Sequence, residues 1–304
     1  MPAPMDFPRY LRAKQTVDDR SLNRWVYGQL QAALAAWPAF EPLSLVEIGC
    51  GLGTMVARLW DWHLAPRVRY LALDQDPALI AAARPWLQEF AAQRGLACQA
   101  VGEELWLQEA GREWQVRFLV QDFLTAAPEL LPAGTASLVL AHAVLDLLNL
   151  QDSLPRLRRL LRPGGLGYLT LNYDGLTILA PPLDPELEAA ILTLYHRSMD
   201  CRQQGRGGHS QTGRRLLAAL LRDGAQILAA GSSDWLVWPD AQGRYPAEEA
   251  YFLECLLNFI EAAVKGRPEL DQDRLAAWLA GRRAQIAGGE LVFLAHQLDV
   301  LYRI

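Results

Sequence analysis

At 304 residues, about half of them apolar, the chain is long enough for two domains or one enlarged domain. Lys and Arg number 29 against 34 Asp and Glu, a formal net charge of −5, opposite to the balance by which proteins hold phosphate backbones. Four dispersed cysteines (Cys50, Cys98, Cys201, Cys255) without a C-x-x-C pair supply no metal or disulfide framework and point to a reducing compartment.

Asp6 and the prolines at 2, 4 and 8 interrupt any N-terminal apolar run, so no secretion signal is expected. Thr16 and Asp19 are spaced as a capping box. Leu22, Trp25, Val26 and Leu30 recur at helical spacing, which predicts a helix over 17–36 that ends before Pro38. Next, an apolar strand over 43–48 turns at glycines into a helical pattern over 54–60. Gly49, Gly51 and Gly53 let the backbone approach a ligand and adopt positive φ. The following helix aims its free N–H groups at the same place. Glu47, at the strand's end, is a poor neighbour for pyrophosphate and a good one for an ammonium group. No Lys or Arg lies between Glu47 and Arg58, and Thr54 stands where a dinucleotide loop places its third small residue. A ligand with positive charge near the loop is expected, and a nicotinamide dinucleotide is disfavoured.

A second strand, over 69–73, ends in Asp74. Asp76-Pro77 caps the next helix, which leaves Asp74 for a ligand. A third strand, over 114–120, ends in Gln121-Asp122-Phe123, and a fourth, over 137–140, leads into Ala141-His142-Ala143. The apolar stretch 136–150 contains His142 and Asp146 and is too short to span a bilayer, so a cytoplasmic protein is expected. In the helix predicted over 153–162, Leu154, Leu157, Leu160 and Leu161 form one stripe. Arg156, Arg158, Arg159 and Arg162 fall mostly on the other face, a solvated surface rather than a nucleic-acid patch. The turn Arg162-Pro163-Gly164-Gly165 and a strand over 166–173, ending at Tyr173, follow.

Glu-x-Gly-x-Gly-x-Gly, followed by acids at the ends of the next two strands and by Leu-Arg-Pro-Gly-Gly before the fifth, resembles the class I S-adenosylmethionine (SAM) methyltransferases, small-molecule branch. The match covers about 42–175. The resemblance implies a doubly wound α/β fold: a mostly parallel, seven-stranded, Rossmann-like sheet with helical cap insertions and an antiparallel last strand. It implies SAM as cofactor and S-adenosylhomocysteine as product. Glu47, Gly49, Cys50, Gly51 and Gly53 would hold the methionine end. Asp74, with Gln75 beside it, would take the ribose; Gln121, Asp122 and Phe123 the adenine. An N-terminal segment would close over the cofactor, with Arg20 or Lys14 meeting its carboxylate. His142 falls where relatives face the methyl group, as cofactor contact or as general base, with Asp146 one turn on to orient it and Tyr173 on the same rim. No Asn/Asp-Pro-Pro-aromatic follows the fourth strand, which argues against base amines of nucleic acids. No carboxylate cluster suits a catalytic magnesium, and no metal is expected.

The remaining segments are expected to decide the substrate. Residues 176–183 read as an apolar loop, 185–201 as a helix, and 203–208 as a glycine-rich break, either a lid hinge or a slack loop; a helix over 215–222 follows. Residues 225–230 read as a strand, and 234–238 as its continuation or a short strand of its own. Helices over 246–264 and 270–286, and a last strand over 290–296, complete the chain. The wide apolar faces of those two helices suit a helical cap or a homodimer surface. Tyr195, His196, His209 and Trp235 are further pocket candidates. The division expected is 1–40 as a cover, 41–175 as the SAM-binding core, 176–224 as cap and lid, and 225–304 as the last strands with a two-helix insertion over 246–288. The activity expected is in-line methyl transfer to a small or medium organic molecule at oxygen, nitrogen or carbon. The alternative is a non-catalytic module of the same fold that binds SAM or its product.

Overall fold

The computed structural model describes residues 6–38, 40–127, 129–201 and 207–304. Three short helices open the chain: α1 (Phe7–Ala13), α2 (Gln15–Ser21) and α3 (Arg24–Leu34). The single helix expected over 17–36 is broken because Leu22 leaves the helical region and the Asn23 side chain caps α3 by accepting from Val26 N–H. The Thr16–Asp19 capping box does not form. Thr16 Oγ1 donates to Glu249 at 2.7 Å, and Asp19 accepts from Arg58 at 2.6 Å.

Strand β1 (Leu43–Ile48), helix α4 (Thr54–Asp61), strand β2 (Arg67–Asp74) and helix α5 (Pro77–Arg94) follow. Asp76 caps α5, accepting from Ala78 N–H at 2.8 Å, with Pro77 at the first helical position. A hairpin that sequence reasoning left out, β3 (Ala97–Val101) and β4 (Glu104–Glu109), precedes β5 (Arg112–Val120). Then come β6 (Ala136–His142), a 3-10 turn (Leu145–Leu147), α6 (Leu150–Leu160) and the long β7 (Leu161–Ala180). The chain ends with α7 (Pro185–Asp200), α8 (Thr212–Arg222), β8 (Gln226–Ser232), β9 (Trp235–Val237), α9 (Glu249–Val264), α10 (Gln272–Ala287) and β10 (Val292–Arg303).

Among the described residues, one ten-stranded sheet runs β3-β4-β5-β2-β1-β6-β7-β10-β8, with β9 pairing on β10. The seven expected strands are present in a Rossmann-like, doubly wound order. The surplus is the β3–β4 hairpin, antiparallel on the edge of β5, and the short β9. Strands β5, β2, β1, β6 and β7 are mutually parallel, and β10 is antiparallel to β7 and β8. The loop expected over 176–183 is strand as far as Ala180, because β10 pairs with that stretch too.

Alternation along each strand feeds two cores. Leu43 and Leu45 of β1 pack with residues of α3, α4 and α5, while Val46 and Ile48 pack with α6 and α8. A third cluster is the cap, where α9 buries Phe252, Leu253, Leu257 and Ile260 among Tyr10 of α1, Ile191 of α7 and Trp278 of α10. The apolar face of the inserted helices is thus consumed within the chain, and a homodimer would have to use another surface. Of the glycine-rich break, residues 202–206, Gly205 among them, lie outside the described residues. Gly207 bridges Leu148, and Gly208 packs so closely that a Cβ there would collide with the backbone of Asp146. Among the described residues, no helix is long and apolar enough to cross a membrane.

Candidate functional site

The carboxyl ends of β1, β2, β5 and β6 converge on a cleft of about 290 Å³, the place where parallel α/β sheets hold ligands. After β1 the chain turns through Gly49 (φ +64°) and Gly51 (φ +55°). A Cβ at Gly49 would lie 2.5 Å from Val144 Cγ2, so glycine is required both by conformation and by room. The loop is tied to β2 by two hydrogen bonds: Cys50 N–H donates to Leu73 O at 2.8 Å, and Gly51 N–H to Asp74 Oδ2 at 2.9 Å. The other oxygen of Asp74 accepts from Asp76 N–H at 3.0 Å. An ionised carboxylate offers about four lone-pair directions, so Asp74 is held rigidly and keeps capacity for two ligand hydroxyls.

Of the residues expected to contact a cofactor, Gly49, Cys50, Gly51, Asp74, Gln75, Gln121, Asp122, Phe123 and His142 all line this cleft. Asp122 Oδ1 accepts from Leu124 N–H at 2.8 Å, which fixes the turn after β5 and presents Phe123. Sequence reasoning missed Asp76, Thr54 and the N-terminal Phe7 and Leu11, which also line it.

Three assignments need correction. Glu47 does not reach the cleft. It shares the face of β1 that carries Leu43 and Leu45, is 1% exposed, and accepts from the Tyr70 hydroxyl at 2.7 Å beneath the loop. Burial pushes its carboxyl up to about 8, only partly offset by Tyr70 and Arg58. The carboxylates that do face the cleft are Asp74, Asp76 and Asp122. Gly53 lies off the cleft as well; it begins α4 in the left-handed region, where a Cβ would strike Phe118 at 2.8 Å. Arg20 points elsewhere, clamping the fully buried Glu249 at 2.5 and 2.6 Å and donating to Leu236 O at 2.9 Å.

The cation at the cleft is Lys14, 8% exposed, whose Nζ lies 3.0 Å from Asp18 Oδ2. Asp18 is buried and also accepts from Trp235 Nε1 at 2.9 Å. Burial opposes its charge, but Lys14, His142 and Arg58 together hold the carboxyl well below the usual range. His142 is gripped at both ring nitrogens: Nδ1 lies 2.9 Å from Thr170 Oγ1, and Nε2 lies 3.3 Å from Asp18 Oδ2 and 3.4 Å from Arg58 Nη1. Burial drives its pKa down to about 4 despite Asp18, so the ring is neutral near pH 7. The partners that orient His142 are therefore Thr170 and Asp18, not the expected Asp146. The pairing of Asp18 with His142 was not legible in the sequence, since it spans 124 residues.

Asp146 and Tyr173 line a second cavity, of about 390 Å³, against the cap. Phe7, Leu11, Lys14, Ala143 and Leu147 line both cavities and form the wall they share. The second cavity is mostly apolar, walled by Trp235, Leu256, Phe259, Ile260 and Phe293, with Tyr195, Ser198 and Gln297 among its polar groups. The pocket candidates Tyr195 and Trp235 thus line it. His196 stands behind Tyr173, and His209 lies by Asp200, 3.3 Å away.

The cleft's donor set fits a nucleoside carrying a cationic amino-acid tail. Asp74 suits a pair of ribose hydroxyls, Gln121 and Phe123 suit a purine edge and face, and Lys14 suits a carboxylate. The acidic rim suits net positive charge, although Glu47 takes no part in it. In comparisons with known proteins, residues 46–169 match a family model described as a methyltransferase domain. No curated protein matches the chain in sequence. Similar solved structures include YjhP from E. coli, at 14% identity over 94% of this chain and 98% of that one, TM-score 0.46. The cyclopropane synthase MmaA2 from Mycobacterium tuberculosis is 15% identical over 91% of this chain and 84% of that one, TM-score 0.45. Geranyl diphosphate C-methyltransferase from Streptomyces coelicolor A3(2) is 10% identical over 91% and 80%, TM-score 0.43. At these scores the likeness adds nothing to what the site itself carries.

Proposed function

We propose that the chain, whose residues 46–169 match a methyltransferase domain, is a class I SAM-dependent methyltransferase that methylates a small or medium organic molecule bound in the cavity beside the cofactor cleft. The observation that supports this reading is the adjacency of the two cavities: Lys14, Ala143 and Leu147 line both, which sets a second chamber directly beside the cleft. In this reading residues 41–175 hold the cofactor and 1–40 cover it. The 176–224 segment and the helices inserted in 225–304 enclose the acceptor, in a cytoplasmic protein.

SAM supplies a methyl group on a positive sulfur. The chain's task is to hold an acceptor in line with that group and keep water out. Positioning alone contributes on the order of 7–11 kcal/mol in the best cases. Asp74 takes the ribose hydroxyls, Asp122 and Gln121 the adenine edge, and Phe123 its face. Lys14 meets the carboxylate while remaining paired with Asp18. His142, neutral and gripped at both nitrogens, positions the floor between the cavities and takes no proton.

The test is incubation of the protein with labelled SAM and a fractionated metabolite extract. Label in an organic product supports the proposal. Binding of S-adenosylhomocysteine without label in any fraction favours the non-catalytic module.

A further inference from the structure

We propose that the second cavity takes a molecule with an apolar, ring-sized body and an acidic hydroxyl, a phenol or enol, and that the hydroxyl proton leaves through Tyr173 to His196. The inference rests on the methyl-transfer reading above and assigns the acceptor atom, oxygen, which that reading leaves open.

Tyr173 stands where β7 runs past the cofactor cleft into the cap. Its hydroxyl lies 2.6 Å from His196 Nε2 on α7 and 2.7 Å from Thr177 Oγ1, four residues further along β7 beyond the irregularity at Gly175 (φ +77°). A phenol has one proton and two lone pairs. Donating to His196 and accepting from Thr177 leaves one lone pair, and both Tyr173 and Thr177 line the cavity. That lone pair suits the proton of an incoming hydroxyl. His196 does not line the cavity; it is the second link of a chain that leads away from it.

The charges around the chain agree. Burial keeps the His196 pKa below its ordinary value, so the ring is neutral and has a vacancy for a proton, and nearby Asp200 pulls in the opposite direction, which favours the cation once formed. Burial holds the Tyr173 proton in place, opposed by the Thr177 hydrogen bond and reinforced by Tyr195, Asp146 and Asp174, so the phenol does not ionise by itself. Lys14, the cation on the shared wall, is already paired with Asp18. With no cation among the described wall residues left to receive a ready-made oxyanion, the acceptor enters neutral and loses its proton as the methyl arrives. A neutral hydroxyl is also cheaper to bring into this apolar chamber than an ammonium ion.

In the step itself the oxygen–carbon bond forms as the carbon–sulfur bond breaks, and that bond's electron pair stays on sulfur. The acceptor's proton passes to Tyr173 Oη, and the proton of Tyr173 passes to His196 Nε2. The imidazolium then releases its proton to solvent. At about 390 Å³ the cavity sits near the lower end of small-ligand sites, roughly 300–1,000 Å³, room for one or two fused rings.

The experiment measures binding of 2-naphthol and of naphthalene to the protein saturated with S-adenosylhomocysteine. The expected result is about tenfold tighter binding of 2-naphthol, the worth of one hydrogen bond, and loss of that preference in Tyr173→Phe with naphthalene binding unchanged. Methyl transfer to 2-naphthol from SAM should fall by roughly 10²-fold or more in His196→Gln, with loss of the acidic limb of its pH–rate profile. Equal affinity for the two probes, or a preference that survives in Tyr173→Phe, overturns the inference. Binding of S-adenosylhomocysteine reports separately on the underlying reading and on whether each variant folds. Its absence from the wild-type protein would sink methyl transfer, whatever the naphthol result.

Discussion

The cleft at the strand ends and the cavity against the cap share a wall yet are built on opposite plans. The cleft is built mainly from the ends of four neighbouring parallel strands, each contributing one short turn, and its polar groups are fixed by bonds within and between those turns, as with Asp122 accepting from Leu124 N–H and Asp74 from Gly51 N–H. The cavity is assembled from α1, the turn after β6, β7, α7, β9, α9 and β10, with aromatic packing in place of backbone bonds. A binding site that must recognise a fixed ligand is written locally; one that has only to enclose an apolar body is written across the whole chain. The Lys14–Asp18–His142 cluster is where the two plans join, since Asp18 touches Trp235 on the cap side and His142 on the cleft side.

The largest effect should follow from breaking that joint. Asp18→Ala leaves Lys14 buried without its carboxylate and Trp235 Nε1 without its acceptor. A loss of about 3–5 kcal/mol in denaturant unfolding is expected, with weakened binding at both cavities. A loss under about 1 kcal/mol would mean that the joint is not structural. Gly49→Ala separates the two regions. Positive φ and the Val144 contact together should cost about 2–3 kcal/mol, read as weaker S-adenosylhomocysteine binding, while naphthalene affinity in the cavity stays unchanged.

A smaller effect concerns Glu47. Its carboxyl rises from the ordinary 4.5 to about 8 in the folded chain. The unfolded chain therefore releases a proton first, so Glu47's contribution to stability is full below pH 4.5 and is lost as pH rises towards 8. Glu47→Gln cannot titrate. Its stability relative to wild type should rise across that window, by at most about 1.4 kcal/mol per pH unit; a flat difference would show that the buried carboxyl is not protonated. The smallest effect is at Arg20, where Arg20→Gln should change S-adenosylhomocysteine affinity less than about twofold, because the side chain serves Glu249 and Leu236 O rather than the cleft.

The contrast in plan explains what the sequence revealed. The strand–turn–helix units and the positions of Asp74, Asp122 and Phe123 were legible because each depends on a few adjacent residues: glycines that must turn, and a proline-led cap at Asp76-Pro77 that frees Asp74. The direction of Glu47 was legible too, since Leu43, Leu45 and Glu47 alternate onto one face, but its place in a motif outweighed that period. The β3–β4 hairpin was missed although Leu105 and Leu107 alternate into the core. The break at Leu22 was missed although its cause, the Asn23 cap on Val26, is local; the roles of Asp18 and Arg20 were not legible, for they depend on Trp235, His142 and Glu249, more than a hundred residues away. The strand beyond Tyr173 was hidden by Pro181-Pro182, and only its pairing with β10 extends it to Ala180.

The most direct test of the central claim, that the cleft is a SAM site anchored by Asp74, is calorimetric titration of S-adenosylhomocysteine and NAD into wild type and Asp74→Ala. The account predicts binding of S-adenosylhomocysteine, no competing affinity for NAD, and a loss of about 1.5–3 kcal/mol in the variant. Tighter binding of NAD, or an Asp74→Ala affinity equal to wild type, would contradict it.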